Sequence, residues 1–262
     1  MKIGFFDSGL GGLTILKSVA KELPQYDYLY YGDTANLPYG DKTEAEIFNL
    51  TKAGIETLFK TDCALVIIAC NTASAETLRK LQDDFLVKEY PDRRILGVII
   101  PTIEEMLESG AKRALLLATR RTVESGKYPM ELQKHEAKDL TLYSVPMPGL
   151  VPLIESGKSD EALLLAKNAI DEEEKRVGEV DTVVLGCTHY TKLAPGLRKH
   201  YERIKFISQD ELIPKKLADY LSRHKEIESK LTRGGTRVIK LTESREDYDQ
   251  ITAELLGGAL IH

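Results

Sequence analysis

Two cysteines stand where a thiol can react. The apolar run Leu65-Val66-Ile67-Ile68-Ala69 ends in Cys70-Asn71-Thr72, and Thr182-Val183-Val184-Leu185 ends in Gly186-Cys187-Thr188-His189. Each cysteine falls just past a buried-strand pattern and just before a helix pattern. A thiol at a helix N-terminus sees the positive end of the helix dipole, which is expected to lower its pKa from the usual value of about 8.5 and raise the thiolate fraction. The bland alternative is that cysteine is a common small core residue. Cys63, which is expected just before its strand with no polar company, is assigned to that role. Either site cysteine alone would be read the same way. Two in equivalent settings, each with hydroxyl or amide neighbours, point to function.

Other candidates fall at similar places. Asp7-Ser8-Gly9-Leu10-Gly11-Gly12 follows the first strand pattern, and its glycines permit a sharp turn with N–H groups free for an anion. A plain helix cap by Asp7 or Ser8 explains it at least as well, and it is not the GxGxxG of a dinucleotide site. Pro38-Tyr39-Gly40 reads as a turn or as a backbone platform over a small ligand. Glu155 after an apolar run reads as a solvated helix face. His189 beside Cys187 can orient or protonate a reacting group near neutral pH, or be an exposed loop imidazole. Thr119 and Thr122 can bond a carboxylate or cap the helix that follows them.

The elements that must position these residues alternate. Strands are expected at Ile3–Phe6, Tyr28–Tyr31, Leu65–Ala69, Ile95–Ile100, Ala114–Ala118, Leu140–Val145, Thr182–Leu185, Ile204–Ile207 and Arg237–Leu241. Helices are expected between most of them. Thr43 to Lys60 carries Ile47, Leu50, Gly54 and Leu58 at helical spacing, Thr102–Ser109 runs to a Gly110 cap, and Asp160–Arg176 stripes Leu163, Ala166, Ala169 and Ile170 along one face. This alternation implies right-handed βαβ units around largely parallel sheets, an α/β fold in which ligands gather beyond the carboxyl ends of the strands. Arg233-Gly234-Gly235-Thr236 is the best late turn. The two Cys-containing strand ends form a weak repeat, as if duplicated α/β halves faced each other across a cleft.

Composition narrows the class. The 262 residues are 42% hydrophobic and 29% charged, with a formal net charge of −5, which suits a water-soluble domain or two. No long basic run marks a nucleic-acid footprint, and no stretch approaches the roughly 18 apolar residues of a membrane span. The start lacks the apolar core of a signal peptide. Three cysteines are too few for a disulfide framework and are expected as reduced thiols in a cytoplasmic protein. No CxxC or His/Cys spacing suggests zinc.

Taken together, Asp7-Ser8-Gly9, Pro38-Tyr39-Gly40, Cys70-Asn71-Thr72-Ala73-Ser74 and Gly186-Cys187-Thr188-His189-Tyr190 occur in the order in which they occur in the glutamate racemase family, within the aspartate/glutamate racemase superfamily. The chain resembles that family from Met1 to about Leu193 and more weakly beyond. The resemblance implies two similar doubly wound α/β domains with mainly parallel sheets, related by a pseudo-twofold, with the active site in the cleft between them. The first would span 1–96 plus 208–262 and the second 97–207. It implies no cofactor and no metal, a small-molecule substrate (L- and D-glutamate), no nucleic-acid or membrane partner, and a homodimer. Catalytic cysteines map to Cys70 and Cys187, with Asp7 and His189 in supporting acid–base roles. Substrate-binding positions map to Asp7, Ser8, Tyr39, Gly40, Asn71, Thr72, Thr119, Thr122, Glu155, Thr188 and His189. The chain departs from the family's usual pattern at Ala118 with Arg120 and Arg121 beyond it, at Pro146-Met147-Pro148-Gly149, and at Ser208-Gln209-Asp210.

The chemistry suits the residues. Racemisation removes a Cα proton from one face and returns one to the other, so two acid–base groups on opposite faces serve, one as thiolate and one as thiol. Without a pyridoxal electron sink, donors around the α-carboxylate must stabilise the carbanion; backbone N–H groups near Asn71, Thr72 and Thr188 are candidates. Ser8, Tyr39 and Gly40 would fix the carboxylates with neutral donors, Arg120 being the one cation in reach. Three alternatives stay open at this point: an aspartate or other acidic amino-acid racemase, a thiol redox protein, and a non-catalytic binder.

Overall fold

A computed structural model describes residues 1–243, Tyr248 and, for the backbone, 259–260. Among the described residues, ten strands form two sheets: β1 (Lys2–Asp7), β2 (Tyr28–Gly32), β3 (Cys63–Ile68), β4 (Arg94–Gly97), β5 (Arg113–Ala118), β6 (Thr141–Pro146), β7 (Thr182–Gly186), β8 (Lys205–Ile207), β9 (Arg237–Leu241) and β10 (Ala259–Leu260). One sheet has the order β10-β9-β2-β1-β3-β4 and the other β6-β5-β7-β8. All the pairings are parallel. The first sheet therefore draws its strands from both ends of the chain and the second from the middle.

The central strands read as unbroken apolar runs because helices cover both of their faces. In β3, Leu65 and Ile67 enter one core while Val66 and Ile68 enter another on the opposite face. In β5, Leu115 and Leu117 face one core, and Ala114, Leu116 and Ala118 face the other. β6, at an edge, is only partly buried. Helix Glu44–Lys60 starts on a capping box in which Thr43 and Glu46 satisfy each other's backbone N–H groups, and it buries Ile47, Gly54 and Leu58. The expected late turn forms where Asp27 accepts hydrogen bonds from the Gly234 and Thr236 backbone and the Thr236 hydroxyl, fixing the entry to β9.

Two expected boundaries change. The strand expected over 95–100 stops at Gly97, and a helix runs from Ile99 to Glu108 rather than from Thr102. Ile99 and Ile103 are apolar because that helix is buried, and a short apolar run cannot by itself separate strand from buried helix. Pro101 fits there because the first helical N–H groups lack partners anyway. Gly110 takes the left-handed conformation, φ 73°, just past this helix, as its expected capping role requires. Cys63 is the first residue of β3, opposite Lys2, rather than a residue before the strand, and it is fully buried. Smaller differences leave Ala69, Leu140 and Ile204 just outside their strands. Among the described residues, no helix is long and apolar enough to cross a membrane.

Candidate active site

The carboxyl ends of β1, β2 and β3 in one sheet and of β5, β6 and β7 in the other converge on a cavity of about 330 Å3. Its wall includes both cysteines together with Ser8, Tyr39, Gly40, Asn71, Thr72, Thr119, Glu155, Thr188 and His189. Every site residue expected from the sequence thus lines it except Asp7 and Thr122. A larger cavity of about 530 Å3, lined by Arg79, Glu104, Lys127 and Lys216 among others, contains neither site cysteine.

Cys70 is the N-cap of helix Asn71–Lys80. Its sulfur accepts from the Ala73 N–H at 3.4 Å and from the Ser8 hydroxyl at 3.4 Å. The helix end was expected to lower this thiol's pKa. Instead burial pushes it up to about 12, the Asp7 carboxylate adds to the rise, and the two hydrogen bonds do not offset them. Cys70 therefore rests as a neutral thiol.

Cys187 stands differently. A 3₁₀ turn, Thr188–Leu193, follows it, and its sulfur caps no backbone N–H. It faces His189 Nδ1 at 3.8 Å, and His189 Nε2 lies 3.0 Å from Glu155 Oε1. Burial pushes the imidazole down, but the Cys187 sulfur and the Glu155 carboxylate more than reverse this and carry it up to about 10. Glu155, exposed as its place after the apolar run suggested, is the third member of this chain of groups.

Asp7 is fully buried below the cavity. Its carboxylate accepts from the Gly9 N–H at 2.8 Å and from the Thr188 hydroxyl at 3.5 Å. Burial raises its pKa, against the pull of His189 and these donors. Asp7 thus ties the β1 loop to the Cys187 loop and does not line the cavity. Gly11 makes that approach possible: a Cβ there would sit 2.3 Å from Thr188 Oγ1 and 2.9 Å from the His189 ring. The glycine-rich turn therefore serves to admit the neighbouring loop.

On the opposite wall, Thr72, Thr119 and Thr122 form a closed triangle of hydroxyls, with Oγ1 separations of 2.9, 2.9 and 3.2 Å. Thr122 stands behind the other two. Thr119 also caps the helix Arg120–Glu124 through the Thr122 N–H. The Tyr39 hydroxyl donates to Asp33 at 2.7 Å. Its proton is thus engaged with Asp33. Asn71 is held by Gln209 and Tyr128. Asp33 and Tyr128 escaped notice in the sequence, and Gln209 stood out only as part of the Ser208-Gln209-Asp210 departure, because each acts through a partner distant in the chain or hidden in a loop. Leu37, Met147, Val151 and Pro152 add an apolar wall, and Arg120 brings the cavity's one arginine. Among the described residues no cluster of His, Cys, Asp and Glu is arranged to hold a metal.

The cavity can place a small polar molecule between two sulfurs that belong to different sheets. Residues 14–211 match the family model described as Asp/Glu/Hydantoin racemase. A glutamate racemase of Ruegeria pomeroyi is 37% identical over 236 residues, covering 86% of this chain and 86% of that protein. Among solved structures, glutamate racemase isoform RacE1 of Bacillus anthracis superposes with a TM-score of 0.87 at 27% identity, covering 99% of this chain and 96% of that one. The glutamate racemase of Francisella tularensis in complex with D-glutamate superposes with a TM-score of 0.85 at 27% identity, covering 100% and 95%.

Proposed function

The chain belongs to the Asp/Glu/hydantoin racemase family, and from that premise we propose that it interconverts L- and D-glutamate by a two-base mechanism carried by Cys70 and Cys187. The observation that carries this reading is the placement of two thiols, from the ends of β3 and β7, on the wall of one small cavity. Curated relatives that are glutamate racemases, and a structural neighbour holding D-glutamate, support glutamate as the substrate.

Cys70 acts as the acid in the free site, since burial keeps its proton on. The Cys187–His189–Glu155 chain holds the base and can pass a proton along its length. A Cα proton removed by Cys187 from one face is replaced by the Cys70 proton on the other, and the reverse reaction exchanges the roles. When Cys70 must be the base, the substrate ammonium brings positive charge into the cavity. Backbone N–H groups at the starts of the Cys70 helix and the Cys187 turn, with the Asn71 amide and the Thr72–Thr119 hydroxyls, take the carboxylates and stabilise the charge developing at Cα. Asp7 and His189 support Cys70 and Cys187 as neighbours, Asp7 by setting the local charge and the loop geometry.

The same reading puts the domain division at 1–96 plus 208–262 and 97–207, which follows the strands each sheet recruits except that Gly97 still closes β4 of the first sheet. A homodimer in the bacterial cytoplasm, supplying D-glutamate for peptidoglycan, completes the proposal. The three unpaired cysteines accord with a reducing compartment, and light scattering tests the dimer.

The deciding experiment is solvent exchange. The purified protein, without added cofactor, is incubated in D2O with L-glutamate, D-glutamate or aspartate, and Cα–H loss and optical rotation are followed. Exchange with inversion of glutamate, lost in Cys70→Ala and Cys187→Ala, is the expected result. Inversion of aspartate alone transfers the reading to an aspartate racemase. No exchange with either amino acid under reducing conditions overturns it.

A further inference from the structure

Gln209 opens the helix Gln209–Arg223, just after β8, where the chain leaves the four-stranded sheet. Its side chain is fully buried, which an amide tolerates only if its polar atoms are paired. They are. Gln209 Nε2 donates to Asn71 Oδ1 at 2.9 Å, and Asn71 Nδ2 donates back to Gln209 Oε1 at 2.7 Å. Tyr128 adds a second donor to Asn71 Oδ1 at 2.9 Å.

A reciprocal amide pair could stand in either of two flipped arrangements. Thr102 removes that freedom. Its hydroxyl proton goes to the Val98 carbonyl at 2.7 Å, so toward Gln209 its oxygen only accepts, and Gln209 Nε2 lies 3.3 Å away. The nitrogen of Gln209 must therefore face Thr102 and Asn71 Oδ1, and Asn71 in turn must present its nitrogen to Gln209 Oε1. One N–H of Asn71 is used in the pair. The other has no partner among the described residues and is left as a spare donor on a residue that lines the cavity.

We propose that Gln209 is a positioning residue that, polarised by Thr102, fixes the Asn71 amide with its spare N–H available to a substrate carboxylate. The inference rests on the racemase reading of the site. It also gives a use to the Ser208-Gln209-Asp210 stretch, where the sequence leaves the usual family pattern.

The test is steady-state kinetics on Gln209→Leu, which removes both amide partners at similar volume, and on Thr102→Val, which removes only the polarising hydroxyl at similar shape. Each is repeated in an Asn71→Ala background, with melting temperature measured in parallel. The expected result is a rise in KM for glutamate of about tenfold in Gln209→Leu, the scale of one lost hydrogen bond, with a smaller rise in Thr102→Val and kcat within about twofold. Both effects should vanish once Asn71 is alanine. A lowered melting temperature with KM unchanged, or a KM rise that persists in the Asn71→Ala background, overturns the inference while leaving the racemase reading intact. Wild-type protein that neither racemises nor binds glutamate overturns both.

Discussion

Cys70 and Cys187 occupy matching places, one at the end of β3 and the other just past β7, yet the two halves of the cavity treat their thiols differently. Around Cys70 the partners are a hydroxyl and a backbone N–H, with a buried carboxylate nearby, and the proton stays on. Around Cys187 the partner is an imidazole whose proton is held by Glu155, so charge can move away from the sulfur along a chain of side chains. A reaction with an equilibrium constant of one by symmetry is thus run by a site that is itself unsymmetrical. The enantiomers share one value of kcat/KM, and any inequality between the halves must appear in kcat and KM separately.

The comparison breaks most severely at the sulfurs. Cys70→Ala and Cys187→Ala are each expected to lower racemisation by about 10²–10⁴-fold, the usual scale of a positioned acid–base group. Each variant keeps one thiol on one face. Residual solvent exchange without inversion should therefore survive for one enantiomer in one variant and for its mirror image in the other, as read by NMR in D2O. The same enantiomer exchanging in both variants would show that the two thiols do not flank Cα.

The next effect is at His189. His189→Asn is expected to lower kcat by about 10²-fold. It also carries a signature in stability. The folded imidazole titrates at about 10 against an ordinary value of 6.5, so its contribution is complete below about pH 6.5 and is lost as pH rises through about 10. Urea melts should show His189→Asn most destabilised relative to wild type near pH 6, with the gap closing toward pH 10. A gap that widens with pH would mean that the imidazole rests neutral beside Cys187.

These two predictions rest on features of unequal visibility in the sequence. The cysteines were legible because β3 and β7 are unbroken apolar runs ending in polar residues, and because the four motifs keep their order. The direction of the Cys70 shift was not legible: the helix-end rule is local, whereas burial and the Asp7 carboxylate come from β1 and from packing. The same limit hid the Tyr39–Asp33 bond, the depth of Asp7, and the pairing of Asn71 with Gln209 across 138 residues of chain. Ile99 misled because its apolar side chain belongs to a buried helix turn and not to β4. Glu155 is solvent-exposed, as its helix suggested, but nothing in that helix shows that His189 lies opposite it.

Smaller effects sharpen the contrast between loops. Gly11→Ala places a methyl group against Thr188 and His189 and must push the Cys187 loop aside, whereas at Gly40 the nearest obstacle to a Cβ is Thr119 at 3.7 Å, an ordinary contact. Gly11→Ala is expected to cost about 1–3 kcal/mol of stability, as overpacking does, and to reduce kcat by more than tenfold. Gly40→Ala should fold with near-normal stability. Thermal melts and kinetics on the pair check this, and equal stability losses would mean that the β1 turn yields more easily than its contacts imply.

The smallest expected change is at Ser8. Among the described residues its hydroxyl is the one side-chain donor to Cys70, at 3.4 Å, and the Ala73 N–H remains when it is removed. Hydrogen bonds to sulfur are weak, and a single lost bond is worth about 1 kcal/mol. Ser8→Ala is therefore expected to reduce kcat by no more than about fivefold, with little change in melting temperature. The loss should grow when Cys70 must accept a proton, because the hydroxyl stabilises the thiolate more than the thiol; kcat then falls further for one enantiomer, and KM for that enantiomer falls in step to keep kcat/KM equal in the two directions. A fall as large as that of His189→Asn would show that Cys70 depends on its hydroxyl as strongly as Cys187 depends on its imidazole, and the difference between the two halves would lose its chemical meaning.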